Sequence, residues 1–134
     1  MSSKLRSIEV TLPWPVKQVW PNYRQSHHWR KYWKQVKAQR ETAFILAAEQ
    51  IGRQTVPRDT EGPWMVHLDI YPPDLRKRDE DGMEGACKSA IDGIADALRV
   101  DDSRFTTTRT IHPPRRPDGA VVVTVTAPGA PSNG

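Results

Sequence analysis

Trp64-Met65-Val66-His67-Leu68-Asp69-Ile70-Tyr71 decides the fold class. Trp64, Val66, Leu68 and Ile70 recur at every second position, which puts them on one face of a strand over residues 64–71. Pro72 and Pro73 stop it. A strand with a single apolar face needs a second layer against it, and the chain offers one on either side. Upstream, Trp29, Trp33, Val36, Ala43, Ala47 and Ile51 recur at helical spacings and predict a helix over about 29–51, with Gly52 as its stop. Downstream, Met83, Cys87, Ala90, Ile91, Ile94 and Leu98 predict a second amphipathic helix. Farther out, residues 7–12 alternate as a half-buried strand, ended by Pro13 and Pro15 with Trp14 held extended between them. The Thr- and Val-rich segments 104–111 and 120–126 read as a hairpin closed by Pro113 to Gly119. The predicted order is β-α-β-α-β-β, an α+β fold with a small mixed sheet and two amphipathic helices.

The 134 residues suffice for one domain, residues 1–134, with 1–6 and 128–134 expected to be flexible. No apolar run approaches the roughly 20 residues needed to cross a bilayer, and the first residues lack the apolar stretch of a signal peptide. Cys87 is the only cysteine, which excludes a disulfide framework or thiol cluster and makes a cytoplasmic location the expectation. Net charge is +4, and its distribution is uneven. Residues 1–40 hold nine Lys or Arg and one acid, Glu9, against eleven and fifteen in the remainder. Such polarity suits a polyanion partner through counterion release, with an ordinary solvated helix face as the alternative.

The acids gather around the second helix. Asp79 and Asp81 alternate at its entrance, Asp101 and Asp102 follow its end, and Lys88 lies between. Hard carboxylate oxygens at alternate spacing suit Mg²⁺, which takes few of them and keeps sites for water and substrate phosphate. A lysine among them could neutralise charge in a transition state. The same residues also have a structural reading. Asp81 followed by Glu84 matches a capping box, worth about 1 kcal/mol. Asp79 is then solvated and Asp101-Asp102 a polar turn. Spacing leaves both open.

Two segments together resemble the RusA-type Holliday-junction resolvases of phages and prophages. The first is Leu12-Pro13-Trp14-Pro15, running through Pro21-Asn22 to His28-Trp29-Arg30. The second is Arg78-Asp79-Glu80-Asp81, Lys88, Asp92-Gly93-Ile94-Ala95-Asp96-Ala97-Leu98 and Val100-Asp101-Asp102. They follow the family's order across most of residues 8–105. The resemblance implies an intertwined homodimer that resolves four-way DNA junctions by paired symmetric nicks, in recombination and repair. Its cofactor would be Mg²⁺, with Mn²⁺ as a substitute and no small-molecule cofactor. Matched by position, Asp79, Asp81 and Asp102 are the catalytic metal ligands, Asp101 a neighbouring oxygen donor, and Lys88 the catalytic lysine. Gly82 stands where the family has Asn after its second aspartate, so any contact of that Asn is missing or supplied elsewhere.

A helix from Met83 to Leu98 is about 24 Å long. The four residues from there to Asp102 span at most about 14 Å, so Asp102 is not expected to return to its own Asp81. Two such helices antiparallel across a twofold axis would instead pair Asp79 and Asp81 with the partner's Asp102. DNA contacts are expected from Arg76, Lys77 and Arg78, from Arg30, Lys31, Lys34 and Lys37 on the first helix, and from Trp14 by stacking. Trp29 and Trp33 are expected in the core, as is Cys87. The competing readings are a non-catalytic basic DNA-binding protein and a nuclease for other branched DNA.

Overall fold

The computed structural model describes residues 3–58 and 60–129. It is an α+β fold with a four-stranded mixed sheet. Strand β1 (Ser7–Pro13) is followed by a short helix α1 (Pro21–Ser26) and the long helix α2 (Trp33–Ile51). Next come β2 (Trp64–Tyr71), helices α3 (Glu80–Gly85) and α4 (Lys88–Leu98), and strands β3 (Phe105–Ile111) and β4 (Ala120–Thr126). The sheet order is β1-β4-β2-β3, with β2 and β3 parallel and the other pairings antiparallel.

Register explains the core. Val10, Val123 and Leu68 lie side by side, as do Ile8, Val125 and Val66, so the apolar alternations of three strands fall on one face. Trp64, Val66, Leu68 and Ile70 are all fully buried. Helices α2 and α4 supply the second layer with Ala43, Ala47, Ile51, Ala90, Ile94 and Leu98. Gly93 sits at their crossing, where a β-carbon would collide with the backbone carbonyl of Arg40. Only glycine lets α4 come this close to α2.

Four expectations are corrected. Segments 104–111 and 120–126 do not form a hairpin: β2 lies between β3 and β4, and the connection 112–119 passes over it. Valine-rich β4 gains more by burial between two strands, whereas threonine-rich β3 tolerates an edge. The helix expected over 83–98 is two helices. Gln39 of α2 donates to the Ala86 carbonyl (2.9 Å) and accepts from the buried Ser89 hydroxyl, holding the break between them. The helix expected from Trp29 starts at Trp33 after a 3-10 turn, Trp29–Lys31. Trp29 and Trp33 are not core residues, since the inward face of α2 is built from small side chains that permit the close crossing; the two indoles pack against each other at 6.3 Å instead. Near the start of the chain, Lys4 bridges to Thr55 and Leu5 is buried. At the other end Pro128 is buried, and the expectation for residues 130–134 lies outside the described residues.

Candidate functional site

Helix α3 begins because Asp79 caps it. The Gly82 amide donates to Asp79 Oδ2 (3.2 Å), so Asp79, two residues earlier than expected, is the N-cap. Glu84 does not reach back to close a capping box. It accepts from Arg109 Nη1 (2.7 Å), while Arg109 Nη2 donates to Asp81 Oδ1 (3.0 Å). Arg109 pairs in register with Leu68, on the helix-bearing face of the sheet, and at edge strand β3 it meets α3 rather than the core.

The acidic exit is also organised. Asp101 caps a 3-10 turn, Asp102–Arg104, by accepting from the Ser103 amide (2.9 Å). Asp102 turns back along α4, and Lys88 Nζ donates to Asp102 Oδ2 (2.9 Å) and to Asp92 Oδ1 (2.8 Å). Hydrogen bonds to Asp92 first and Asp102 second raise the Lys88 pKa above its ordinary value. The Lys88 hydrogen bond, with a smaller one from Asp92, holds the Asp102 carboxyl below the usual carboxylate range. Thus Asp102 does return along its own chain, as far as Lys88. A single 24 Å helix is not the distance to be spanned, because α4 alone starts at Lys88.

The donor chemistry of Asp79, Asp81, Asp101 and Asp102 suits Mg²⁺. Their positions within one chain do not. Among the described residues no group of three or more His, Cys, Asp or Glu side chains could hold a metal ion. Asp79 and Asp101 are caps, and Asp81 and Asp102 belong to different ion pairs.

The basic residues are equally particular. Loop 72–79 is folded around Asp74, which accepts from the Arg76 amide (2.9 Å) and from Arg78 Nη2 (2.9 Å). The Arg76 amide is the first reason the Asp74 carboxyl lies below the usual range. Arg78 also lies over the Trp14 ring at 5.2 Å, leaving Arg76 and Lys77 as the exposed cations of the loop. On α2 and the turn before it, Arg30 lies over Trp29 (5.6 Å) and Lys37 is 4.0 Å from Glu41. Lys31 and Lys34 are exposed. His28 accepts from the Arg30 amide at the turn before α2. Buried Cys87 has its thiol pushed up to about 12 by desolvation, then by Glu84.

Arg109 and Gln39 escaped sequence reasoning. For Arg109 a signal existed: alternation from Phe105 puts residues 107, 109 and 111 on its face, so a lone cation there calls for acids above the sheet. Gln39 left no such trace, because its partners are a hydroxyl and a carbonyl on a distant helix pair.

No family model matches this chain. An uncharacterized protein from Xylella fastidiosa is 38% identical over 117 residues, an overlap of 87% of this chain and 74% of that protein. The chain therefore belongs to the same family as that protein. The relative brings no activity with it. Among the described residues no helix is long and apolar enough to cross a membrane.

Proposed function

We propose that this chain is a Mg²⁺-dependent endodeoxyribonuclease that resolves four-way DNA junctions as a homodimer, with Mn²⁺ able to replace Mg²⁺. The observation that carries the reading is the Lys88–Asp102 ion pair at 2.9 Å. Two residues that the resemblance to RusA-type resolvases assigns to one reaction stand together there, despite fourteen residues of separation. Asp79 and Asp81 are exposed at the α3 entrance, directly after the cations of Arg76, Lys77 and Arg78. A polyanion drawn to that loop reaches these carboxylates first.

One chain does not complete a ligand set, so the proposed site is composite. Asp79 and Asp81 of one subunit would join the partner's Asp102, which brings the partner's Lys88 with it. Mg²⁺ held there would polarise the scissile phosphate and acidify a bound water. Lys88 would place its ammonium against the charge growing on phosphate oxygens.

Incubation with a synthetic four-way junction, a duplex and a single strand, with Mg²⁺ or EDTA, tests the reading. Metal-dependent paired nicks confined to the junction are expected. Nicks on other branched DNA but not on the four-way junction would reassign the substrate. Mixed dimers of Asp79→Asn and Asp102→Asn subunits test the composite site. One intact site remains and nicking is restored; nicking no greater than in either mutant homodimer would place each site within one chain. Asp79 as a cap and Asp81 in an ion pair favour a second reading, a non-catalytic DNA-binding protein. Junction binding without cleavage at any metal concentration would establish it.

A further inference from the structure

The segment after β1, helix α1 and loop 72–79 enclose an open cleft of about 590 Å³. Aromatic rings from Trp14, Trp20 and Tyr23 line it, together with the cations Lys17, Arg76 and Arg78, and among the described residues no acid lines it. We propose that this cleft binds one unstacked nucleotide of the DNA, its base against the aromatic rings and its phosphate between Lys17 and Arg76. The proposal takes the identity of the polymer from the endonuclease reading and adds where, and in what state, an unpaired nucleotide is held.

The rings are built in place. Trp14 and Trp20 pack at 5.9 Å, and the Trp20 indole N–H donates to the Pro15 carbonyl (3.2 Å). Tyr23 is stacked on His27 at 3.7 Å, which covers one face of each ring. Arg78, anchored by Asp74, covers part of Trp14. Each of the three aromatic residues is half-buried, so ring surface remains toward the cleft. Lys17 and Arg76 are exposed, and no carboxylate is bonded to either side chain among the described contacts. Arg76 feels the Asp74 carboxylate of its own loop without an ion pair to it, so both cations can still turn to an anion.

This combination selects its occupant. The volume lies in the range of about 300–1,000 Å³ typical of small-molecule sites, too small for a duplex to enter. Stacked bases inside a duplex offer no face to the rings, whereas an unstacked base does. An acidic peptide satisfies the cations but leaves the aromatic surface unused. Position adds a reason. Arg78 adjoins Asp79, and helix α1 rests directly on α3: a β-carbon at Gly85 would come within 2.6 Å of the Pro21 ring. A nucleotide held here lies beside the helix that carries Asp79 and Asp81. Branch points, where bases unstack most easily, would then be favoured over intact duplex.

The test measures binding of the full chain in EDTA, so cleavage plays no part. Labelled dT8, an all-abasic octamer and a poly-Glu octamer are compared by fluorescence anisotropy. Stacking contributes enough per base for dT8 to bind at least about fivefold more tightly than the abasic strand. Lys17→Ala/Arg76→Ala, on exposed positions, should weaken dT8 binding about tenfold and flatten its salt dependence. Tyr23→Ala should lower the preference of dT8 over the abasic strand, with circular dichroism verifying the fold. Equal binding of dT8 and abasic strand, or poly-Glu competing as well as dT8, would overturn the proposal. So would a double variant that binds dT8 as the parent does. A chain that shows the dT8 preference yet never nicks a junction keeps the cleft and loses the endonuclease; junction nicking without the preference does the reverse.

Discussion

Lys88 and Asp102 meet at 2.9 Å although α4 and a left-handed turn at Arg99 separate them along the chain. Asp92 takes a second hydrogen of the same ammonium at 2.8 Å. One lysine thus ties the start of α4 to the segment beyond its end. Replacing it by Met should have little effect on the unfolding midpoint, because ion pairs this exposed contribute little to stability. On the proposed endonuclease reading, junction cleavage should fall by about 100-fold or more, in line with the loss of one transition-state donor. A large fall in thermal stability with proportionate loss of cleavage would make Lys88 structural.

The pH response of this pair has a definite sign. The Lys88 pKa is raised, so its contribution is complete below its ordinary 10.5 and is lost as pH rises through the higher folded-state value. The Asp102 pKa is lowered, so its contribution is complete above its ordinary 3.8 and is lost as pH falls through the lower folded-state value. Between those limits the pair stays charged. On the endonuclease reading proposed above, this pair should therefore add no limb to a cleavage profile measured from pH 6 to 9, and Lys88→Arg should leave the shape of that profile unchanged. A descending limb near pH 8 that disappears in Lys88→Arg would contradict this.

Arg109 binds Glu84 at 2.7 Å and Asp81 at 3.0 Å from the edge of the sheet. Its side chain is about a quarter exposed (27%), so Arg109→Leu should cost about 1 kcal/mol in urea unfolding, the upper end for screened pairs. On the proposed endonuclease reading, removing a cation beside Asp81 should also lower the Mg²⁺ concentration needed for half-maximal cleavage. A higher requirement would mean that Arg109 positions Asp81 for the metal instead of competing with it.

Gly93→Ala places a methyl group against the Arg40 carbonyl, which is backbone and has no rotamer in which to retreat. Overpacking of this kind costs about 1–3 kcal/mol or more. Urea titration should show a lower midpoint or no cooperative transition; an unchanged midpoint would mean that α4 slides easily on α2.

Cys87, buried with its thiol pushed up to about 12, should be inert to a thiol reagent at pH 8 until urea unfolds the chain, when one equivalent reacts. Prompt labelling of the native protein would show that the α3–α4 junction opens.

How much of this was legible depended on range. Residues 64–71 announce their strand because alternation is a local property, and Met83, Cys87, Ile94 and Leu98 announce a buried face for the same reason. The break between α3 and α4 left no local mark, since the residue that holds it, Gln39, comes from α2. The hairpin reading of 104–111 and 120–126 failed because proximity in sequence says nothing about a third strand inserting between two others. At the candidate site, Asp79, Asp81, Lys88 and Asp102 could be singled out by residue type and spacing. Which carboxylates Arg109 meets, and that Asp102 returns to Lys88, could not be named, since those pairings are set by strand register and by the turn after α4; only Lys88–Asp92 is a local i,i+4 pair.

By itself, then, the sequence determined which residues face inward on β2 and α4 and which chemistry the polar ones can offer, because both follow from side-chain type and backbone period. Tertiary structure alone decided the sheet order, the division of α3 from α4, and the partner of each carboxylate. Those depend on contacts between segments tens of residues apart, where the close approach at Gly93 and the register of β3 fix which charged groups come within hydrogen-bonding distance.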